Sequence, residues 1–369
     1  MPASKVYFSD LRTSYRENFL AKMVRLMEKM DLKSIAQPRD LVAIKLHFGE
    51  KGNTAFIRPT LVRQVVDYMK EGGAYPFLTD ANTLYTGARA DSVSHLHTAI
   101  ENGFSYSVVN APIIIADGIR GASSTAINIH QEHIKTAYIG REIAESDALI
   151  SLAHFKGHEL TGFAGTIKNL GMGCAARKGK LAQHSDVSPK VTRKKCIACG
   201  DCVEHCAHSA IAIENEKAKI DPEKCVGCGE CILICDQQAI QVRWNADVPL
   251  FQKKLVEYAF AVLQAKKGKV GFLNFLTQIS PACDCCGHSD APIVQDLGIM
   301  ASLDPVAVDQ ASVDMVNQQK GLETSCLSSH KKEGEDKFKA LYPKVDWTIQ
   351  LQYAEQLGLG NRNYDLIPI

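Results

Sequence analysis

The sequence predicts an α/β protein whose mainly parallel sheet, with flanking helices, is interrupted by a small cysteine-rich insert. Three observations carry this. Short, near-continuous apolar runs alternate with amphipathic stretches, the pattern of strands buried on both faces by crossover helices. Eight of the chain's thirteen cysteines fall between Cys196 and Cys235, in two copies of one spacing. Beyond them the alternation of helix and strand resumes. The expected division is therefore a first part of the α/β domain at 1–187, the insert at 188–243, and the second part at 244–369. Two α/β domains joined by the insert would be the alternative. The insert carries little apolar surface of its own, which favours insertion into one domain.

The elements follow in order. Residues 14–31 read as a helix with Phe19, Met23, Met27 and Met30 on one face and Ser14 as its cap. LVAIKLHF (41–48) is a strand. Pro59 opens a helix that Gly72-Gly73 closes. AYPFLTD (74–80) is a second strand, 91–102 a helix, APIIIADG (111–118) a third strand and DALISLAHF (147–155) a fourth. The segment 156–180 holds Gly157, Gly162, Gly165, Gly171 and Gly173, which prevent a simple assignment. After the insert, 250–266 is helical, KVGFLNFLTQI (269–279) is a strand and LGIMAS (297–302) another. Asp304-Pro305 caps and opens a helix to 320. A further helix lies near 331–341.

In the insert, Cys196, Cys199, Cys202 and Cys206 follow C-x2-C-x2-C-x3-C. Cys225, Cys228, Cys231 and Cys235 repeat it 29 residues later. Three thiolates at that spacing wrap three corners of a cube in one loop, and the fourth ligates the other cluster. The spacing therefore predicts two 4Fe–4S clusters. One takes Cys196, Cys199, Cys202 and Cys235, the other Cys225, Cys228, Cys231 and Cys206. Disulfides do not suit a chain without an export signal. Zinc sites space two C-x2-C pairs farther apart.

Composition excludes several roles. A formal net charge of +1 gives no global field for nucleic acid. The first thirty residues are rich in charge and lack an apolar core, so no signal peptide is expected. The apolar runs are far too short to span a bilayer, so no membrane partner is expected. Many cysteines without an export signal imply a reducing, cytoplasmic setting, and cubane chemistry fits an anaerobic host.

The strands end in ionisable groups: Lys45, His47 and Glu50 after the first, Asp80 and Asn82 after the second, Asp117 after the third, and His154, Lys156 and His158 after the fourth. Ligands bind beyond the carboxyl ends of parallel strands, so these ends imply one polar crevice. Polar loops at strand ends are the plainer explanation. Lysine and histidine inside apolar runs favour a crevice, because burying them is costly without a partner or a task. Lys168 and Asn169 in the glycine-rich segment could face an anion approached by backbone N–H groups, or the segment could be a flexible surface loop. Finally, CDCCGHSDAPI (283–293) crowds Cys283, Asp284, Cys285, Cys286 and His288. With Cys174 and a histidine such as His154, His158 or His184 they are candidates for a third metal or cluster site. Reduced core thiols are the alternative, and Cys326, standing alone, is expected to be structural.

The blocks KLHFGEKGN (45–53), TDANTLYTGAR (79–89), HFKGHELTGFAGTIKNLGMGCAARKGK (154–180), CDCCGHSDAPIVQDLGI (283–299) and SLDPVAVDQA (302–311) together resemble the uncharacterised Fe–S centre protein family. That is a domain-of-unknown-function family carrying a two-cluster ferredoxin insert. The resemblance spans nearly the whole chain. It implies an α/β domain with an inserted bacterial-type dicluster ferredoxin module, found mostly in anaerobic bacteria and archaea, and gives no reaction. Ala207 and Asp236 stand where proline normally follows the fourth cysteine of each run. Proline is no ligand, so cluster assembly is unaffected, while the charge of Asp236 favours a lower potential.

The expected function is an iron–sulfur oxidoreductase. Electrons would come from a donor such as ferredoxin and reach a small-molecule substrate or metal in the crevice, where Lys45, His47, Asp80, His154, His158 and Lys168 bind substrate and move protons. An electron carrier or cofactor-assembly scaffold without its own substrate is the alternative. Nucleic-acid modification lacks a basic, aromatic face. Radical S-adenosylmethionine chemistry needs a cluster with an open iron, and both runs here supply four thiolates.

Overall fold

The computed structural model describes residues 2–184, 189–206, 208–225, 227, 229–241 and 247–369. Cys228 and Ala207 lie outside these residues. Seven strands form the central sheet: β1 Ser4–Asp10, β2 Leu41–Lys45, β3 Tyr75–Thr79, β4 Ala148–His154, β5 Val270–Leu276, β6 Gly298–Ser302 and β7 Tyr364–Pro368. Their order is β7-β1-β6-β5-β4-β2-β3. β6 runs antiparallel to both neighbours, and the other pairs are parallel. The sheet is thus mostly parallel. Strands from before and after the insert lie side by side in it, β4 pairing directly with β5.

Alternation along the strands sends side chains to two cores, one on each face. Phe272 and Leu276 of β5 join Leu149 of β4 beneath helices Val248–Lys266 and Pro305–Asn317. Leu273 and Phe275 join Ile150 and Leu152 beneath helices Phe19–Lys29 and Pro59–Glu71. Each such side chain, fully buried, contributes roughly 1.5–3 kcal/mol. On the first face the same alternation also brings Lys45, Ser151 and Asn274 inward, all buried.

Three expectations needed correction. Asn18, not Ser14, caps the first helix, its Oδ1 accepting from Ala21 N at 2.9 Å; Ser14 Oγ instead closes a turn with Arg16 and Glu17. The run 111–118 lies along β3, with Leu78 N donating to Pro112 O and Ile114 N to Leu78 O. It forms an isolated bridge rather than a strand, because Pro112 has no N–H to extend the ladder. The glycine-rich segment is mostly buried, folding as a short antiparallel pair (Lys156–His158 with Gly162–Ala164) and helix Thr166–Gly171. A Cβ on Gly171 would sit 2.1 Å from Leu255 O, so glycine is there to let two helices touch. Asp304 caps helix Pro305–Asn317 through Val306 N and Ala307 N, as its sequence position predicts.

Among the described residues of the insert, Lys190–Val191 pairs with Ile240–Gln241, and Ile211–Glu214 pairs with Lys217–Ile220. Two short helices, Asp201–Glu204 and Glu230–Ile234, each follow a glycine of positive φ, Gly200 and Gly229. The unit has its own small core, completed by Leu84 and Leu181 from the α/β part. No helix among the described residues is long and apolar enough to cross a membrane.

Candidate functional site

Strand order reverses between β2 and β4: β3 lies outside β2, and the chain then returns to the other side of it. That switch point opens a crevice beyond the strand ends. A cavity of about 560 Å³ occupies it, within the range of small-molecule sites. Lys45, His47, Asp80, His154, His158 and Lys168, predicted separately along the chain, all line it, as do Cys283, Cys285 and Cys286.

The charges are held in buried pairs. Lys45 Nζ lies 2.9 Å from Asp80 Oδ1 and donates to Asn169 Oδ1 at 2.8 Å. Asn169 in turn donates to Ser151 Oγ at 2.8 Å, fixing helix Thr166–Gly171 to the sheet. Arg89 Nη1 reaches Asp80 Oδ2 at 3.4 Å and its Nε reaches Glu50 Oε2 at 3.2 Å. Burial alone would raise the pKa of Asp80; Lys45 and the other cations beside it hold it below the usual carboxylate range. His95 stands 3.7 Å from Asp80 Oδ2, but burial lowers its pKa to about 3, so this contact joins a carboxylate to a neutral ring. Asn82 and Asp117 bond to each other at 2.9 Å, outside the cavity lining.

Asp284 forms a second buried knot. Its Oδ1 is 2.8 Å from His154 Nδ1 and its Oδ2 is 3.0 Å from Lys156 Nζ. Burial opposes its charge, yet these neighbours carry its pKa far below normal. His154 Nε2 faces the carbonyls of Thr277 at 2.9 Å and Gln278 at 3.1 Å. Both ring nitrogens thus meet protein groups, and His154 ties Asp284 to the carbonyls of Thr277 and Gln278.

His47 and His158 are different. His47 Nδ1 accepts from Gly49 N at 3.0 Å, so its neutral ring carries the proton on Nε2. Burial, with Arg89 and the lysines around it, keeps the pKa of His47 well below normal. His158 Nδ1 accepts from Leu160 N at 3.2 Å, and the ring is hydrogen-bonded to Cys283. Burial and then Lys168 bring its pKa to about 4. Lys168 Nζ donates to Cys283 Sγ at 3.4 Å. Burial would depress Lys168, but the facing Cys283 and Cys285 raise it. Burial lowers Lys180, another lining residue, to about 8 against the pull of Asp117 and Asp80.

The CDCC turn presents its thiols to this cavity. A hydrogen bond with Cys285 and then burial raise Cys283 to about 11. Cys174 is elsewhere, in the core, its Sγ donating to Asn169 O at 3.7 Å, and His288 is exposed. Among the described residues no group of three His, Cys, Asp or Glu closes round a single ion. Cys326 is exposed rather than packed in the core. The expected anion cradle of the glycine-rich segment is filled from within: Thr166 N and Ile167 N donate to the two carboxylate oxygens of Asp309 at 2.7 and 2.9 Å.

In the insert, Cys196, Cys199, Cys202 and Cys235 line one small cavity. Backbone N–H groups point at the sulfurs: Ala218 at Cys196 (3.3 Å), Ala210 at Cys206 (3.3 Å) and Ala239 at Cys235 (3.2 Å). The last two contacts repeat at the 29-residue offset. The insert docks on the cavity wall. Leu84 both lines the crevice and packs in the insert's core. Glu230 lies 3.2 Å from Arg120 and 3.4 Å from Arg177.

Sequence reasoning missed Arg89, Tyr85 and Lys180 in the site. Each sits in a polar stretch that looks like surface; TDANTLYTGAR following a strand end pointed to Tyr85 and Arg89, and the glycine-rich block 154–180 to Lys180.

The family described as "Domain of unknown function (DUF362)" matches residues 42–314. No curated protein matches the chain. Solved structures similar to it include the lactate racemase apoprotein from Thermoanaerobacterium thermosaccharolyticum, at 13% identity and TM-score 0.38, over 74% of this chain and 51% of that one. A protein from Thermotoga maritima is similar at 8% identity and TM-score 0.40, over 92% of this chain and 58% of that one. The chain thus spans little more than half the length of either.

Proposed function

The chain belongs to the DUF362 family, and on that premise we propose that it is an iron–sulfur oxidoreductase acting on a small anionic substrate in the crevice. The observation that carries this reading is the seating of the cysteine insert against the cavity wall. Leu84 belongs to both, and a Cβ on Gly229 would meet Arg177 at 3.1 Å and Leu84 at 3.3 Å.

The donor set fits a cluster where it is described. Cys196, Cys199, Cys202 and Cys235 surround one space, and backbone N–H groups already face sulfur, as they do toward thiolate ligands. A cubane's sulfurs bind four different irons, so they need not converge on one point as ligands of a single ion do. These four would hold one cluster; Cys206, Cys225 and Cys231 with Cys228 would hold the other. The bound clusters would supply one-electron transfer. A redox donor such as ferredoxin would dock at the exposed face that carries Cys199 and Ile197.

In the crevice, Lys168 and Lys180 would bind the substrate's negative charge, with Lys45 and Arg89 held ready by Asp80. The Nε2–H of neutral His47 would donate to a substrate oxygen or sulfur. His154 and Lys156 would fix the turn behind. The crevice also separates this reading from a carrier without a substrate, which needs no such cavity.

The test begins with anaerobic reconstitution. About eight irons per chain, reducible by dithionite, are expected for two cubanes; zinc in their place would overturn the cluster reading. Reduced protein is then mixed with small carboxylates, phosphates and organic disulfides, and reoxidation is followed by visible absorption. An enzyme should show one reactive class that His47→Ala slows. Equal rates in both proteins with every compound would favour a carrier.

A further inference from the structure

One group in the crevice has no part in that scheme: the thiols of the CDCC turn. Cys286 N donates to Cys283 O at 2.9 Å, closing a four-residue turn. Such a turn holds its end Cα atoms within about 7 Å, and disulfides span roughly 4.4–6.8 Å between Cα atoms. The backbone is fixed on every side. Glu50 N donates to Asp284 O at 2.9 Å, Tyr85 Oη to Cys285 O at 3.0 Å and Asn53 Nδ2 to Cys286 O at 3.1 Å. The Asp284 side chain is anchored inward by His154 and Lys156, so the cysteines on either side of it face the cavity.

The sulfurs are linked in a row, Cys283 to Cys285 and Cys285 to Cys286. Cys283 Sγ is buried and receives Lys168 Nζ and the Cys285 N–H, each at 3.4 Å, and it is hydrogen-bonded to His158. These donors favour a thiolate as it forms or leaves, against the burial and the Cys285 contact that raise this thiol. Cys286 is half-buried at the cavity's edge. Lys45, Arg89, Lys156, Lys168 and Lys180 line this cavity against Asp80 and Glu159, so it favours an anion.

We propose that Cys283 and Cys286 form a reversible dithiol–disulfide pair that reduces a small anionic disulfide. The Cys286 thiolate attacks one sulfur of R–S–S–R′. The Cys286–S–R bond forms, the substrate S–S bond breaks and R′S⁻ leaves. The Cys283 thiolate then attacks Cys286 Sγ, forming the protein disulfide and releasing RS⁻. Two electrons pass from the two cysteines to the substrate, and the two thiol protons end on the products. Re-reduction takes two electrons and two protons. A dithiol supplies them in the test. Only the physiological source of these electrons rests on the cluster reading above.

Trypsin makes the test direct, because fragment 270–320 contains these three cysteines and no other. Anaerobic, fully reduced holoprotein is exposed to 3,3′-dithiodipropionate, a small dianion, or to cystamine, a dication. It is then quenched in acid, alkylated and digested. With the dianion the fragment should carry one alkyl group and one internal disulfide that includes Cys283, and dithiothreitol should restore three alkylatable thiols. Cystamine should react at least ~10-fold more slowly. Cys283→Ser should stop at a mixed disulfide bearing the propionate half, and Cys286→Ser should not react. Three alkylated thiols after exposure to the dianion, or a disulfide without Cys283, overturns the proposal. So does a fragment protected before oxidation whose thiols appear only on release of a metal. Failure of the cluster reading would show separately, as protein without iron that still forms the disulfide.

Discussion

The crevice and the cysteine insert hold their functional residues by opposite means. In the crevice several charges are buried beside a counter-charge: Lys45 with Asp80, Arg89 with Asp80 and Glu50, and His154 and Lys156 with Asp284. A large two-sided core surrounds them. In the insert, cysteines are presented by short turns and helices of four and five residues over a core with nine buried residues among those described, two of which come from outside it. Protein groups thus hold the crevice's paired charges in place. The insert has little apolar surface of its own, and on the proposed function the clusters bound between its cysteines would complete it.

The largest expected effect breaks the two regions apart. Chelating the iron of reconstituted protein should open the insert to trypsin at Arg193 to Lys195 and at Lys217 to Lys224, while strands β1 to β7 stay protected. An unchanged cleavage pattern would show that the insert is as self-sufficient as the crevice. Next comes the knot at Asp284. Asp284→Asn removes the counter-charge of His154 and Lys156, and should cost roughly 3–5 kcal/mol in urea unfolding. A loss under ~1 kcal/mol would mean that water, not burial, surrounds this pair.

The smallest effect concerns the crevice's charge. Lys180, lowered to about 8 by burial, is charged below that pH and neutral above it. Anion affinity should therefore fall as pH rises from about 7 to 9. It would fall about fivefold over that range if the bound anion raises the lysine's pKa by about one unit. Calorimetry with dithiodipropionate and the Cys286→Ser protein would measure this, and Lys180→Arg should flatten the profile. A flat profile in the parent would remove Lys180 from the binding surface.

The strand ends were legible in the sequence because buried parallel strands are short apolar runs, and a lysine or histidine interrupting one must face something. The partners were not legible. His154 and Asp284 are 130 residues apart, and Lys45 and Asn169 are 124 apart; nothing in local periodicity links them. The run 111–118 reads as a strand because hydropathy does not register the N–H that Pro112 lacks. The glycines of 156–180 read as flexibility or as an anion cradle. Their actual use is close approach: a Cβ on Gly165 would fall 2.3 Å from Asp309 Oδ1. The carboxylate that fills the cradle comes from a helix that begins 139 residues later.

Arg177 gives the contact between the two regions a mechanical meaning. Its buried guanidinium donates to the carbonyls of Thr83, Ala90 and Arg120, and it meets Glu230 of the insert. Residues 83–90 include Leu84, Tyr85 and Arg89, which line the crevice. Arg177 is therefore a lever with its fulcrum in the α/β core. If the insert tilts, it must either let go of Glu230 or drag the crevice wall with it.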